Sequence, residues 1–322
     1  MILQYNILKN TGSIFIACIL MFIILFLHSC KKDEPEISFV DCTPIPPYTD
    51  VGFGYNYIID TIYYTCPSFN PNNPEEFVYI HKNYSSNTYR LFKYNYQTKE
   101  KTLIYTGDIY FQPKWGKNDW ILLNLPDANI WRIKSNGDSL TRITCRGGYY
   151  QPEWNIDCNK LVFYESDLPF NYFISDIFGN ILDSFPNNFS APMKWYNDSL
   201  IYYHSFYKIY CLNIYAHSLN VIYEYSETGV ENCSLVFTKN NELIFCKSDG
   251  IYSLNLLTHN LKMLKSTCNS KVYCFPTYSS LLDKVIWQRM DYTLIDKQNV
   301  FVKSRLFIMN SDGSNESEII ID

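Results

Sequence analysis

Cysteines, histidines and scattered acids carry the reactive chemistry of this 322-residue chain, and Cys30 stands apart from the rest. Lys9 is the only early charge, and Ile14 to Leu27 is an unbroken apolar run of 14 residues that leads through His28 and Ser29 into Cys30. A basic start, a short apolar stretch and a small residue just before a cysteine mark an export signal in which the thiol is acylated and the chain is cut ahead of it. Spanning a bilayer takes about 20 apolar residues, so the run is short for a transmembrane helix. Cys30 is therefore the expected lipid-attachment residue.

The chain has 11 cysteines, and those after Cys30 raise metal binding and pairing. No Cys-x-x-Cys occurs, and no cysteine sits at ligand spacing from a histidine, so no metal site is expected. In an oxidising compartment pairing is the stronger reading. Cys233 and Cys246 are equidistant from Lys239-Asn240, so a hairpin folded there sets them opposite each other. Cys145 with Cys158 and Cys268 with Cys274 are weaker candidates. Cys211, in the middle of an apolar run, is expected as a buried thiol.

The elements that must position these groups follow from a recurring anchor, Pro-x-Trp or a worn version of it. It reads Pro67-Ser68-Phe69, Pro113-Lys114-Trp115, Pro152-Glu153-Trp154, Pro192-Met193-Lys194-Trp195, Ser234-Leu235-Val236-Phe237 and Pro276-Thr277-Tyr278. The intervals are 46, 39, 40, 42 and 42 residues. Each anchor is followed by a turn rich in Asn and Asp, then a short run of β-branched and aromatic residues. Such runs include Ile121-Leu122-Leu123, Leu161-Val162-Phe163-Tyr164 and Leu243-Ile244-Phe245. Runs this short between turn signals are buried strands, not helices. A fixed period of about 40 residues with four strand signals per unit predicts an all-β, six-bladed β-propeller with four antiparallel strands per blade.

The segment Ile130-Trp131-Arg132-Ile133-Lys134-Ser135-Asn136-Gly137-Asp138-Ser139-Leu140-Thr141, followed by Gln151-Pro152-Glu153-Trp154, resembles the repeat of TolB-type propellers. Arg305-Leu306-Phe307-Ile308-Met309-Asn310-Ser311-Asp312-Gly313 is similar to its first part. The chain departs from the family's Ser-Pro-Asp-Gly after the tryptophan, carrying Gly116-Lys117-Asn118-Asp119 and Asn155-Ile156-Asp157-Cys158 there. The resemblance implies a binding scaffold in the cell envelope and names no ligand. Lys31-Lys32-Asp33-Glu34-Pro35-Glu36, directly after Cys30, resembles the export signal of surface lipoproteins in Bacteroidetes-type bacteria. The expected organisation is a signal peptide over 1–29, a flexible tether over 30–50 and the propeller over 51–322. The expected address is the outer membrane, lipid-anchored and surface-exposed.

Catalytic constellations are missing from the sequence. It has no Gly-x-Ser-x-Gly elbow, and Ser135-Asn136-Gly137-Asp138 is not a sialidase Asp-box. A glycosidase needs two carboxylates facing each other across a cleft. Asp108, Glu153 and Glu165 are each read as turn or rim residues. The residues closing the second strand of each unit are His81, Asn124, Glu165, His204, Cys246 or Lys247, and Gln288. They are read as strand ends emerging into water on the face that joins the blades; a ligand ring there is the sharper alternative. His81 and His204 fall three blades apart, too far for one metal, and His217 and His259 are turn residues.

No catalytic residue, cofactor or metal is assigned. A net charge of -5 without basic blocks argues against nucleic acid as a partner. The expected function is a non-catalytic scaffold for a protein or glycan partner, held to the membrane through its N-terminal lipid. A carbohydrate-active lyase or glycosidase, or a structural part of an envelope assembly, are the alternatives. Residues 51 to 65, rich in Tyr and Ile, are expected to add a strand at the seam between the first and last blades.

Overall fold

The computed structural model describes residues 56–166, 171–186, 192–205, 208–224, 234–247, 250–266, 271–296 and 299–321. Cys30, the apolar run before it and the charged segment after it lie outside these, as do Cys233 and Cys268.

The described residues form β-sheet only, in six sheets. β1 (Asn56–Ile59) precedes the ring. Blade 1 is β2 (Ile62–Phe69), β3 (Glu76–Asn83), β4 (Thr88–Asn95) and β5 (Lys101–Thr106). Blade 2 is β6 (Tyr110–Trp115), β7 (Trp120–Asn124), β8 (Ile130–Lys134) and the two-residue β9 (Thr141–Arg142). Blade 3 is β10 (Tyr149–Trp154), β11 (Lys160–Glu165), β12 (Asn171–Asp176) and β13 (Ile181–Pro186). Blade 4 is β14 (Met193–Trp195), β15 (Leu200–Ser205), β16 (Lys208–Asn213) and β17 (Ser218–Glu224). Blade 5 is β18 (Val236–Phe237), β19 (Glu242–Lys247), β20 (Gly250–Asn255) and β21 (Leu261–Ser266). Blade 6 is β22 (Lys271–Ser279), β23 (Lys284–Leu294), β24 (Asn299–Asn310) and the short β25 (Ser317–Glu318). Strands within each blade pair antiparallel in sequence order, the meander that the turn signals predict.

Every anchor lies on or at the head of the innermost strand of its blade, and in blades 1, 2, 3 and 6 its proline marks a distortion. The register of the first pair slips between Thr65 and Ser68, Tyr110 and Lys114, Tyr150 and Glu153, and Cys274 and Thr277. Within the slips Cys66, Phe111, Gln151 and Phe275 take positive φ of 54°, 62°, 51° and 49°, a costly conformation for residues with a Cβ. Proline supplies no backbone donor, and a bulge leaves room for that loss.

Apolar burial is divided among the interfaces between blades. Six clusters form, one at each junction: Val78 and Leu91 meet Trp115 and Ile121 between blades 1 and 2, and Leu122 meets Trp154 and Leu161 between blades 2 and 3. The ring closes at the junction of blades 6 and 1, where Ile286, Leu306, Ile319 and Ile321 pack on Phe69, Phe77, Tyr79 and Tyr94. Tyr94 donates its hydroxyl to the Ile320 carbonyl at 2.8 Å, and Tyr64 to that of Ile321 at 3.2 Å. The last strand, β25, is thus only two residues long, with the residues after it laid against blade 1. β1 adds parallel to the outer edge of β24, Asn56 opposite Asn299 through Ile59 opposite Val302, and Ile62 begins blade 1.

Candidate functional site

The residue just before the anchor aromatic is charged on three successive inner strands. In blades 2, 3 and 4 it is Lys114, Glu153 and Lys194. Glu153 is buried, with Lys114 Nζ at 3.0 Å from one carboxylate oxygen and Lys194 Nζ at 2.6 Å from the other. Burial pushes the Glu153 carboxyl upward, but the two ammonium groups overcome it and hold the group below the ordinary carboxylate range. Burial also pulls Lys114 down, against the opposing pull of Glu153.

Gln112 completes the cluster. Its amide nitrogen donates to the carbonyls of Pro67 at 2.6 Å, Pro276 at 3.3 Å and Phe275 at 3.4 Å. Its amide oxygen accepts from Lys114 Nζ at 2.8 Å and Ser234 Oγ at 3.0 Å. Blades 1, 2 and 6 are joined through Gln112, blade 5 through Ser234, and blades 3 and 4 through Glu153 and Lys194. One connected polar network therefore touches all six inner edges. Phe111, Gln151, Pro192, Met193 and Phe275 surround a small pocket beside it.

Reading Glu153 as a turn or rim residue is thus corrected: it sits mid-axis because it precedes Trp154 on an inner strand. Asp108 is exposed, in the turn before blade 2, as expected. Glu165 is buried at the end of β11, with Arg146 at 3.2 Å. Sequence reading missed Gln112, Lys114 and Lys194. The available signal was the plus, minus, plus alternation at one anchor position in three successive repeats.

The strand-closing residues are a second correction. Asn124, Glu165, His204, Cys246 and Gln288 are buried and do not emerge into water. The reason is that the next blade's first strand covers them. Asn124 donates to the Tyr149 carbonyl at 2.9 Å and accepts from the Gln151 amide at 2.8 Å. Gln288 spans the closing seam, accepting from Thr65 Oγ1 at 2.5 Å and donating to Tyr63 Oη at 2.9 Å and Ser304 Oγ at 3.0 Å. His81 packs its ring 5.7 Å from Tyr64, and burial with Arg90 and Lys101 nearby lowers its pKa, keeping it neutral. β23 and β24 run on past Gln288 as paired strands, with Arg289 opposite Arg305 through Leu294 opposite Val300.

Cys145 and Cys158 are both unbridged, which corrects that candidate pair: Cys145 is exposed, whereas the Cys158 sulfur is buried and accepts from the Lys117 amide at 3.1 Å. Cys211 is a buried thiol whose pKa is raised by that burial. His217 and His259 sit in turns, with φ of 48° and 57°. Among the described residues no three His, Cys, Asp or Glu side chains converge on a metal position.

Five four-stranded sheets and a sixth that β1 extends to five strands, ringed about one axis, define a six-bladed β-propeller. No family model matches the sequence, and no curated protein matches it. Among solved structures, the fold is similar to a TolB from Agrobacterium tumefaciens, with a TM-score of 0.58 and 13% identity over 72% of this chain and 88% of that one. It is similar to an oligogalacturonate lyase in complex with manganese, with a TM-score of 0.52 and 11% identity over 81% of this chain and 78% of that one. It also resembles a Pyrococcus horikoshii acylaminoacyl peptidase, with a TM-score of 0.50 and 12% identity over 80% of this chain and 52% of that one. The architecture is similar to that of these propellers, and likeness at this identity describes fold alone.

Proposed function

We propose that the protein is a lipid-anchored envelope scaffold that binds a protein partner on the face where the blades are joined, with Cys30 as the lipid-attachment site. The observation that carries this reading is the axial network. In a glycosidase built on this fold a pair of carboxylates would face a common substrate. Here the axial carboxylate, Glu153, has an ammonium group on each oxygen. Gln112 spends both ends of its amide on neighbouring blades. A filled axis suits a scaffold, whose recognition falls to loops held on a rigid ring. The connection face also carries the longest hairpin, β23–β24, which stands out beyond the other blades.

The test is photo-crosslinking in cells from Ser86, exposed on the connection face, and from Leu257, exposed on the opposite face. A discrete protein adduct from Ser86 and none from Leu257 is expected. The reverse pattern, or no adduct from either, overturns the reading. Cys30→Ser is expected to release the protein from membranes or leave its signal attached; unchanged detergent partitioning and mobility would refute the anchor.

A further inference from the structure

The six blades offer an internal standard, because the second and third strands of each end in one aligned residue pair. These pairs are Glu76 with Asn95, Trp120 with Lys134, Lys160 with Asp176, Leu200 with Asn213, Glu242 with Asn255, and Lys284 with Asn310. Five blades place Asn or Asp at the end of the third strand. Asn95, Asp176, Asn213 and Asn255 there accept backbone amides of the turn that follows. Blade 2 breaks the pattern with Lys134, and puts the tryptophan of the set opposite it.

Arg132 lies two residues before Lys134, on the same side of the strand. Its guanidinium sits 4.6 Å from the Trp120 ring and 5.9 Å from that of Phe178 on blade 3. Lys134 Nζ lies 4.4 Å from the Trp120 ring and 3.4 Å from the Asn118 carbonyl. No carboxylate pairs with Arg132, and its Nε is buried with no hydrogen-bond partner among the described residues. Burial alone lowers its pKa. A half-buried guanidinium with no acid beside it retains unused donors in a fork matched to a carboxylate.

Phe178 is 70% exposed and firmly placed. Asp176 Oδ1 accepts the Phe178 amide at 2.8 Å. Gly179, at φ +87°, lies so close to the Ile143 carbonyl oxygen that any Cβ there would collide with it. An exposed flat ring is thus held 5.9 Å from Arg132 in the gap between blades 2 and 3, with Lys134 on the neighbouring Trp120 ring.

We infer that this gap, on the face opposite the blade connections, binds a carboxylate-bearing sugar of an acidic glycan. The carboxylate engages Arg132 and Lys134, and the sugar ring lies on Phe178. An acidic peptide supplies the charge but no flat face for the exposed ring, so the glycan is the better fit. The site is independent of the proposed protein partner, since it lies on the other end of the ring.

The test is calorimetric titration of the propeller with an oligoglucuronate, the same oligomer with its carboxylates reduced to alcohols, and polyglutamate. The oligoglucuronate is expected to bind, with affinity falling as salt rises. Phe178→Ala, and Lys134→Asn, which installs the residue type of four other blades, are each expected to weaken it severalfold. Arg132→Gln is expected to weaken it by about tenfold or more. Adducts from Ser86 should persist in all three variants. No binding of the oligoglucuronate, equal binding of its neutral twin, tighter binding of polyglutamate, or indifference to Phe178→Ala and Lys134→Asn would each overturn the inference.

Discussion

Glu153 is buried between two ammonium groups. Removing it strands Lys114 and Lys194 against each other at the axis, and an uncompensated buried charge is severe. Glu153→Ala is expected to cost about 3–5 kcal/mol in urea unfolding. Its pH dependence has a definite sign. The folded-state pKa lies below the ordinary 4.5, so the stabilisation is present above that value and is lost as pH falls below it. Midpoints measured between neutral pH and pH 3 should drop for the natural protein, and drop less for Glu153→Gln from its lower start. A parallel fall in both would show that Glu153 is not the group responsible. The role of Glu153 was hidden in the sequence because an acid near Asn-rich turns looks like a rim residue. What decides its place is the inner-strand bulge, which the proline signals but whose geometry periodicity does not resolve.

At the scale of elements, the strands were legible because short β-branched and aromatic runs alternate with Asn, Asp and Gly turns. Ends of strands were not. Asn124 and Gln288 read as solvated termini because sequence shows one blade at a time, whereas their partners, Tyr149 and Thr65, belong to the next. The tight turns make their own prediction. Gly179→Ala forces a Cβ onto the Ile143 carbonyl at positive φ, so a lowered melting temperature is expected. An unchanged melting temperature would mean that the turn relaxes freely. The segment ahead of the ring also has measurable weight. Deleting 51–65 removes β1, the first four residues of β2 and the Tyr63 and Tyr64 contacts across the seam, and should lower the melting temperature by many degrees. Deleting 31–45 should scarcely alter it. Equal effects would contradict the assignment of β1 as part of the closure.

For the whole molecule, the period of about 40 residues fixed the number of blades, since each blade must bury its faces on the next and only a closed ring leaves no sheet unpartnered. The axial network was not legible, because it joins residues contributed by six separate repeats. The account rests on that network being a structural seal, with recognition held on the connection face. Replacing a buried ion-pair cluster by apolar side chains of similar size leaves stability unchanged or raised in many proteins. The combined variant Lys114→Met, Glu153→Leu and Lys194→Met therefore separates sealing from function. The measurement is crosslinking from Ser86 in cells carrying that variant, with cooperative unfolding checked on the purified protein. The account predicts a folded ring and an undiminished adduct. A folded ring that has lost the adduct would contradict it.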